Sequence, residues 1–297
     1  MEISIRGVSL PEDSTTSDQV AAFVVPALAG IEPADSTILP PEGGTTNEAH
    51  RYVVTASDTI LIRTNPGRDP ERHGLHDTFL ELMAIAERSE IKVINQPAQL
   101  NRFASKSSLL LLEPKYRPDM LVTGDLEQIT DFVRAAPSEC VVKPVVGSRG
   151  KNVIRVANDH ADSTTLLATT FGDQQVVVQH FVAARHPGDR RVIVLDGEIL
   201  EDSGNIAGIE RHPATGDFRA NLHAGGSAHP LQLNESEREA AQSAARLLFD
   251  HGIRLAGVDM IGDKIIEFNV FSTGGLYDGN RFAETDFTET IVRRFLA

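Results

Sequence analysis

The chain has 297 residues, 41% of them hydrophobic and 24% charged, which is enough apolar sequence to bury the core of one large domain or of two to three small ones. Asp and Glu number 42 against 28 Lys and Arg, a formal net charge of −14 that argues against nonspecific nucleic-acid binding and against a basic membrane-binding surface. With Cys140 as the only cysteine, no apolar run of about 18 residues and no signal peptide, we expect a cytoplasmic protein without disulfides, membrane span or cysteine-based metal site.

The first part of the chain predicts alternating strands and helices. Short strands are expected at 2–8, 59–63 and 91–94, and apolar residues at helical spacing predict a helix between the last two. A second helix is expected at 125–136, ending before a proline. The strand–helix–strand order favours a parallel pair with the helix packed outside it. Residues 11–49 are rich in Pro, Gly, Ser, Thr and Asp and predict mostly loops.

The second part predicts strands joined by connections rich in Gly and Asp. Asp196-Gly197 predicts a tight hairpin between two apolar runs. Ser236–Glu239 predicts the capping box that starts a helix, and His251-Gly252 closes it. An amphipathic helix is expected at 287–295. Further strands are expected at 140–145, 152–156, 175–182 and 191–195. The predicted fold class is therefore an α/β N-terminal domain followed by an antiparallel α+β body.

The segment VVKPVVGSRGKNVIRV predicts a strand that carries Lys143, a glycine-containing loop and a returning strand. Because Val145 and Asn152 occupy decisive positions, the segment does not match a Walker A loop. Small residues at the tip, Gly147–Gly150, would let backbone N–H groups approach phosphate oxygens, and kinases combine a glycine-rich hairpin and a strand lysine in a comparable way. The alternative is a tight turn with surface cations.

The segment GVDMIGDKIIEFNV places Asp259, Glu267 and Asn269 among apolar neighbours. Buried carboxylates are costly unless a cation compensates them. Glu267 and Asn269 share a strand face, and a three-residue turn at 262–264 would bring Asp259 to that face, whereas a two-residue turn would point it away. Oxygen ligands suit Mg²⁺ better than zinc. The alternative is that these side chains lie on the exposed face of a one-sided sheet.

The polar stretch at 208–230 contains Arg211, Arg219 and Asn221. Arginines between ordered elements can form a lid that neutralises an anionic intermediate, and the alternative is a solvated surface loop. The scattered histidines lack the spacing of metal ligands, so zinc is not expected. No GxSxG motif is present, and Cys140, flanked by apolar strand residues, is not expected to be catalytic.

Taken in order, these segments resemble the ATP-grasp superfamily, and most closely its prokaryotic glutathione synthetase branch. The resemblance covers most of the chain from about residue 60 onward, and its last three segments are the specific ones. The segments that carry it are ILIRTNPGRD (60–69), VINQPAQLNRFASKSSLL (93–110), VVKPVVGSRGKNVIRV (141–156), QHFVAARHPGDRRVIVLDGEIL (179–200), ERHPATGDFRANLHAGG (210–226) and GVDMIGDKIIEFNV (257–270).

The resemblance implies an ATP-grasp architecture in which two α+β subdomains hold the nucleotide between them. The expected parts are an N-terminal α/β substrate-side domain at 1–113, a small ATP-grasp subdomain with the phosphate-covering hairpin at 114–182, and a large subdomain with the metal site at 183–297.

The resemblance also implies roles for individual residues. The lysines expected to contact the nucleotide phosphates are Lys106 and Lys143. The loop expected to cover the phosphates is Gly147, Ser148, Arg149 and Gly150. The hinge expected to bind adenine is Gln179, His180, Phe181 and Val182. The expected catalytic side chains are Arg191, Arg211, Arg219 and Asn221. The expected metal ligands are Asp259, Glu267 and Asn269.

The activity that the resemblance implies is ATP-dependent amide formation. ATP phosphorylates a carboxylate of a small amino acid or short peptide, and an amine attacks the acyl phosphate, so that ADP and phosphate are released. The implied cofactors are ATP and Mg²⁺ or Mn²⁺, with two ions per site. The implied partners are small-molecule carboxylate and amine substrates and further copies of this chain in a homodimer or homotetramer, without nucleic acid or membrane.

Two departures from the family lie on the substrate side. The first 58 residues do not match the glutathione synthetase opening, and VFSTGGLYDGN follows Asn269 where those enzymes have a Thr-Ser-Pro-type turn. Glutathione-type ligation therefore competes with intramolecular cyclisation of an amino-acid derivative, as in cycloserine-type pathways. A non-catalytic nucleotide-binding module is a third alternative, against which the retention of all the expected cations and metal ligands counts.

Overall fold

The structure of the protein is a computed structural model that contains both helices and strands. The structure describes residues 2–5, 32–33, 50–53, 59–63, 73–147, 150–158, 163–183, 188–214, 220, 225–271 and 273–296. In these ranges, no helix is both long enough and apolar enough to cross a membrane.

The N-terminal part contains a small antiparallel sheet and a parallel strand pair. The antiparallel sheet has the order β1-β3-β2 and consists of β1 (Glu2–Ile5), β2 (Glu32–Pro33) and β3 (His50–Val53). The next elements are β4 (Thr59–Leu61), α1 (His73–Arg88), β5 (Lys92–Ile94), α2 (Pro97–Ala104) and 3₁₀ turns at Lys106–Leu111 and Pro114–Tyr116. Strands β4 and β5 pair in parallel, as the strand–helix–strand order predicted.

Asn95 fixes this N-terminal part to the rest of the molecule. Its buried side-chain Nδ2 donates to the carbonyl oxygens of Leu255 (2.8 Å) and Val270 (3.1 Å). Its Oδ1 accepts from the backbone N–H groups of Arg254 (2.7 Å) and Leu255 (2.8 Å). One amide side chain thereby satisfies four backbone hydrogen bonds across the junction.

A four-stranded antiparallel sheet follows, with the order β6-β9-β7-β8. Its elements are β6 (Met120–Thr123), α3 (Leu126–Ala135), β7 (Cys140–Pro144), β8 (Ile154–Val156), α4 (Ser163–Phe171) and β9 (Val176–His180). Asp125 caps α3 by accepting from the N–H of Glu127 (2.8 Å). Burial raises the pKa of the Cys140 thiol to about 11, so this cysteine stays protonated at neutral pH, as expected of a core residue.

The largest sheet has the order β15-β14-β10-β16-β17, with β11 beside β10. Its strands are β10 (Asp189–Leu195), β11 (Glu198–Ile199), β14 (Gly208–His212), β15 (Ser227–Pro230), β16 (Leu255–Ile261) and β17 (Lys264–Asn269). A separate hairpin joins β12 (Glu201–Asp202) to β13 (Asn205–Ile206). The helices are α5 (Glu235–Asp250), α6 (Leu276–Ala283) and α7 (Phe287–Leu296).

The two faces of the largest sheet pack against different helices. Val192 and Val258 belong to the core that includes the buried alanines of α5. Ile193 and Leu255 belong to a second core with Phe287 and other apolar residues of α7. Because side chains alternate along a strand, the second face continues past its apolar part into the polar residues of the candidate site.

Two predicted turn features have different outcomes. The hairpin at Asp196-Gly197 is confirmed, since both residues have positive φ (51° and 83°), as a type I′ turn requires. The capping box predicted at Ser236–Glu239 is wrong by two residues. Helix α5 instead has Asn234 as its N-cap, which accepts from the N–H of Glu237 (3.0 Å) and donates its own N–H to the Glu237 carboxylate (2.9 Å).

Candidate active site

The β16–β17 hairpin brings Asp259 and Glu267 together by a route that neither predicted turn describes. The turn has two residues, Gly262 and Asp263, which alone would point Asp259 away from Glu267. A β-bulge at Ile266 adds one residue to β17, so that Asp259 lies directly opposite Glu267. The expectation that a two-residue turn separates these carboxylates is therefore corrected by the bulge.

Asp259, Glu267 and Asn269 lie on one face of the hairpin, with Asn269 opposite Gly257. Asp259 is buried, and the buried Nδ2 of Asn269 finds no hydrogen-bond partner in the described part of the chain. Within that same part, no three His, Cys, Asp or Glu side chains come close enough to hold a metal by themselves, so the set needs the amide. Two carboxylates and an amide that can rotate to present its oxygen fit the ligand preference of Mg²⁺.

Four charged side chains alternate in sign beside these residues, and we call them the arginine–aspartate chain. Arg191, opposite Asp259 on β10, donates from Nε to Oδ1 (2.7 Å) and from Nη2 to Oδ2 (2.7 Å). Arg211, opposite Asp189 on β14, donates from Nε to Oδ1 (2.6 Å) and from Nη2 to Oδ2 (2.8 Å) of Asp189. The same Nη2 reaches Oδ2 of Asp259 (2.8 Å), which joins the two pairs.

Burial and the neighbouring charges shift the pKa values of the two carboxylates of the arginine–aspartate chain in opposite directions. Burial alone would raise the pKa of Asp259, but Arg191 and Arg211 outweigh it and hold that pKa well below its usual range. Burial raises the pKa of Asp189 to about 6, because Arg211 only partly opposes the desolvation. The two carboxylates keep Arg211 protonated by raising its pKa. The arginine–aspartate chain therefore contains two positive and two negative charges, which balance each other.

Two lysines from other elements contact the β16–β17 hairpin. The buried Lys143 on β7 donates from Nζ to the carbonyl oxygen of Ile266 (3.1 Å). The buried Lys106 has its Nζ 3.4 Å from Oε1 of Glu267 and donates to the carbonyl oxygen of Gly147 (3.0 Å). Burial lowers the pKa of Lys143 to about 8, a fall that Glu267 opposes and Lys106 reinforces.

The hinge residues at the end of β9 are partly engaged within the protein. The backbone N–H groups of His180 and Phe181 donate to the carbonyl oxygens of Asp119 (2.9 Å) and Glu139 (2.8 Å). The buried Oε1 of Gln179 accepts no hydrogen bond from the described part of the chain. Val182 follows the end of the strand.

The structure brings together the two predicted phosphate-binding lysines, two of the predicted metal ligands and two of the predicted arginines. Lys106, Lys143, Asp259 and Glu267 lie around one end of the β16–β17 hairpin, and Arg191 and Arg211 adjoin Asp259. Gly147 and Gly150, whose φ is 67°, flank the tip of the predicted phosphate-covering loop. The predicted site residues that lie outside the described residues are Ser148, Arg149, Arg219 and Asn221.

Asp189 and Gly188 are site residues that the sequence reasoning missed. Asp189 shares one face of β10 with Arg191, beside the apolar run at 192–195, and this alternation is the signal that could have identified it. Gly188 has a φ of 106°, and a Cβ on it would lie 1.8 Å from the carbonyl oxygen of Arg211. The close pairing of β10 with β14 at this point therefore requires glycine.

Comparisons with known proteins identify the family of the chain. The family model of the prokaryotic glutathione synthetase ATP-grasp domain matches residues 108–284. The glutathione synthetase of Prochlorococcus marinus (strain MIT 9313) is 30% identical over 281 residues, which cover 94% of this chain and 84% of that protein. The glutathione synthetase of Brucella melitensis biotype 1 is 30% identical over 250 residues, covering 82% and 74%.

Solved structures share the fold at lower sequence identity. The crystal structure of D-cycloserine synthetase DcsG superposes with a TM-score of 0.59 at 19% identity, covering 82% of this chain and 86% of that one. The D-alanine–D-alanine ligase of Bacillus anthracis complexed with ATP has a TM-score of 0.52 at 17% identity, covering 80% and 79%. The predicted ATP-grasp fold class is confirmed. The chain belongs to the prokaryotic glutathione synthetase family of ATP-grasp ligases.

Proposed function

We propose that this protein uses ATP to activate a carboxylate of a small amino acid or short peptide as an acyl phosphate and then joins it to an amine. The observation that carries the proposal is the convergence of Lys106, Lys143 and the arginine–aspartate chain on the face that bears Asp259 and Glu267. Membership of a ligase family whose relatives are glutathione synthetases supports it.

The chemistry requires no protein nucleophile. A carboxylate oxygen of the substrate attacks the γ-phosphorus as the bond to the ADP oxygen breaks. The amine nitrogen then attacks the acyl carbon, loses a proton to water, and phosphate departs. The enzyme contributes positioning and electrostatic stabilisation, with Lys106 and Lys143 holding phosphate oxygens and Arg191 and Arg211 offsetting the charge of the tetrahedral intermediate.

We propose Asp259, Glu267 and Asn269 as the ligands of two Mg²⁺ ions, or Mn²⁺ in their place. Bound divalent ions would neutralise phosphate oxygens during the transfer. Two observations support this assignment. Nδ2 of Asn269 has no hydrogen-bond partner among the residues that the structure describes, and the two carboxylates lie opposite each other on one face of the hairpin. For the base of the nucleotide, Oε1 of Gln179 is an acceptor without a partner among the described residues, whereas the N–H groups of His180 and Phe181 already donate within the protein.

Intramolecular cyclisation of an amino-acid derivative is the second candidate. The segment after Asn269 departs from the glutathione synthetase pattern, and Gly275 there is the N-cap of α6 with a φ of 104°. A Cβ on Gly275 would lie 3.7 Å from Cδ of Arg191, so this glycine borders the arginine–aspartate chain. A small, closed substrate pocket would favour cyclisation, and an open one would favour two separate substrates.

We also propose that the protein works as a homodimer or homotetramer.

The test is a phosphate-release assay with ATP and Mg²⁺ across panels of amino acids, dipeptides and amines, with products identified by mass spectrometry. We expect ADP formation to depend on a carboxylate and amide formation to depend on an amine. Glu267→Gln should remove nearly all activity, on the order of 10²-fold or more. The matched control is Glu239→Gln, at an exposed carboxylate on α5, which should retain activity.

Two results would count against the proposal. Tight ATP binding without ADP formation, whichever carboxylate and amine are supplied, would favour a non-catalytic nucleotide-binding module. Ordinary turnover by the Glu267→Gln protein would contradict the assignment of the metal ligands.

A further inference from the structure

Asp259 takes part in two interactions that compete for its carboxylate oxygens. Its two carboxylate oxygens accept three hydrogen bonds from Arg191 and Arg211, and the proposed function, on which this inference rests, also assigns it to a divalent cation. A cation and two guanidinium groups compete for the same oxygens, because all of them need the negative charge. The partners that each arginine keeps when Asp259 turns to a cation therefore decide how well the cation binds.

The two arginines differ in this respect. In the described part of the chain, the guanidinium of Arg191 forms its ion pair with Asp259. Arg211 donates hydrogen bonds from Nε and Nη2 to both carboxylate oxygens of Asp189. Only its Nη2 also donates to Asp259. Losing the bond to Asp259 would leave Arg211 with a complete two-point ion pair.

We infer that Asp189 is a positioning residue that anchors Arg211, so that Asp259 is free to bind a divalent cation beside the nucleotide. Without the Asp189 charge, Arg211 would have Asp259 as its ionised partner, and the guanidinium would compete fully with the cation. A buried guanidinium that loses one carboxylate depends more strongly on the other, since water cannot replace the lost charge.

Neighbouring carboxylates do not duplicate the role of Asp189. Glu210 precedes Arg211 on β14, so its side chain points to the opposite sheet face, where it lies 3.5 Å from Arg190 and 2.8 Å from His212. Asp189 and Arg211 are direct cross-strand partners, and their side chains are each 12% exposed. The pair is therefore shielded from water, and Asp189 is the carboxylate in register with it.

The experiment measures Mn²⁺ affinity in the presence of ADP by electron paramagnetic resonance, on the full chain. We expect Asp189→Asn to weaken Mn²⁺ binding by roughly tenfold or more. Arg211→Gln should not weaken Mn²⁺ binding, because it removes one of the two guanidinium groups that compete with the cation for Asp259. In the double variant the effect of Asp189→Asn should disappear.

The matched control is Asp196→Asn, just beyond the other end of β10. Asp196 also forms a two-point ion pair, with Arg254 (2.6 and 3.1 Å), so its loss has a similar effect on ion pairing without adjoining Asp259. We expect Mn²⁺ affinity to be unchanged in this control. Thermal unfolding of all variants reports their stability separately from metal binding.

Three results would overturn the inference. They are Mn²⁺ binding by Asp189→Asn that equals wild type, weakened Mn²⁺ binding in Arg211→Gln, and a loss in Asp189→Asn of metal-free ADP affinity alone, which would make Asp189 a nucleotide contact. If Asp189→Asn does not fold, the sign of the Arg211→Gln effect still decides. Weaker Mn²⁺ binding in Asp189→Asn but not in Arg211→Gln, in a protein that forms no amide, would uphold the inference and contradict the proposed ligase function.

Discussion

The protonation of Lys143 changes close to physiological pH. Burial lowers its pKa to about 8, so the ammonium is largely protonated at pH 7 and largely neutral at pH 9. We expect nucleotide affinity to fall as the pH rises through 8, because the phosphates lose a positive partner. Calorimetric titration with ADP between pH 6.5 and 9.5 measures this.

The same shift has the opposite effect on stability. The pKa of Lys143 is about 8 in the folded protein, against 10.5 for a lysine in the unfolded chain, so the unfolded chain binds more protons between these values. The contribution of Lys143 to the free energy of unfolding therefore rises with pH across that window. Lys143→Arg, whose charge persists above pH 12, is the control and should flatten both profiles. A nucleotide affinity as pH-dependent in Lys143→Arg as in wild type would contradict the explanation.

The individual site residues could be identified from their own sequence neighbourhood, but the pairing of distant residues could not. Asp259, Glu267 and Asn269 stood out because polar side chains interrupt an apolar hairpin. The partner of Asp189 is Arg211, 22 residues away, and only the pairing of β10 with β14 joins them. Cross-strand pairing of distant segments is a property of the folded sheet, which no local pattern encodes.

At the scale of single elements, type and approximate position were more predictable than register. The predicted hairpin around Asp196-Gly197 and the C-terminal helix are confirmed, because turn residues and helical periodicity are local signals. The bulge at Ile266 was not predictable, since the sequence of β17 alternates equally well with or without it. The helix start was ambiguous because both Asn234 and Ser236 are good N-cap residues with a Glu three positions later.

The pairing of β10 with β14 depends on Gly188, and this gives a prediction at the scale of the sheet. Gly188→Ala would place a Cβ 1.8 Å from the carbonyl oxygen of Arg211, so the strands must separate where Asp189 meets Arg211. We expect the free energy of unfolding to fall by about 3 kcal/mol or more, with loss of activity. Urea denaturation and the phosphate-release assay measure the two effects.

Gly204 provides a control that also has a positive φ. Its φ is 81°, but a Cβ there would meet no atom within 4 Å. Gly204→Ala should therefore show only the intrinsic cost of the left-handed conformation, about 1–2 kcal/mol. If the two alanine variants lose the same stability, the contact with the Arg211 carbonyl has no special importance.

At the scale of the whole molecule, a net charge of −14 surrounds a site that we propose binds a triphosphate. The molecule resolves this conflict locally, because Lys106 and Lys143 are buried at the end of the β16–β17 hairpin. The bounds of the three expected domains stay a prediction. Lys106 comes from the 3₁₀ turn at Lys106–Leu111, Lys143 from the four-stranded sheet and Glu267 from the largest sheet, so the site depends on how these parts are fixed to one another.

Asn95 is one of the residues that fix the N-terminal part to the rest of the molecule, and it does so at strand β16. Asn95→Ala would leave the buried backbone groups of Leu255 and Val270 and the partly buried N–H of Arg254 without this partner, and each unsatisfied buried group costs about 1–3 kcal/mol. We expect the free energy of unfolding to fall by about 3 kcal/mol or more. Urea denaturation measures this loss.

The matched control is Asn101→Ala, because Asn101 makes an exposed hydrogen bond to Asp77 (3.2 Å). That variant should lose no more than about 0.5 kcal/mol. Nucleotide binding distinguishes two ways in which Asn95 can act. The lysines proposed to contact the nucleotide do not bond to Asn95, so ADP affinity in Asn95→Ala should be retained at temperatures where the protein stays folded. A loss of ADP affinity without a loss of stability would mean that Asn95 shapes the nucleotide site directly instead of anchoring the N-terminal part.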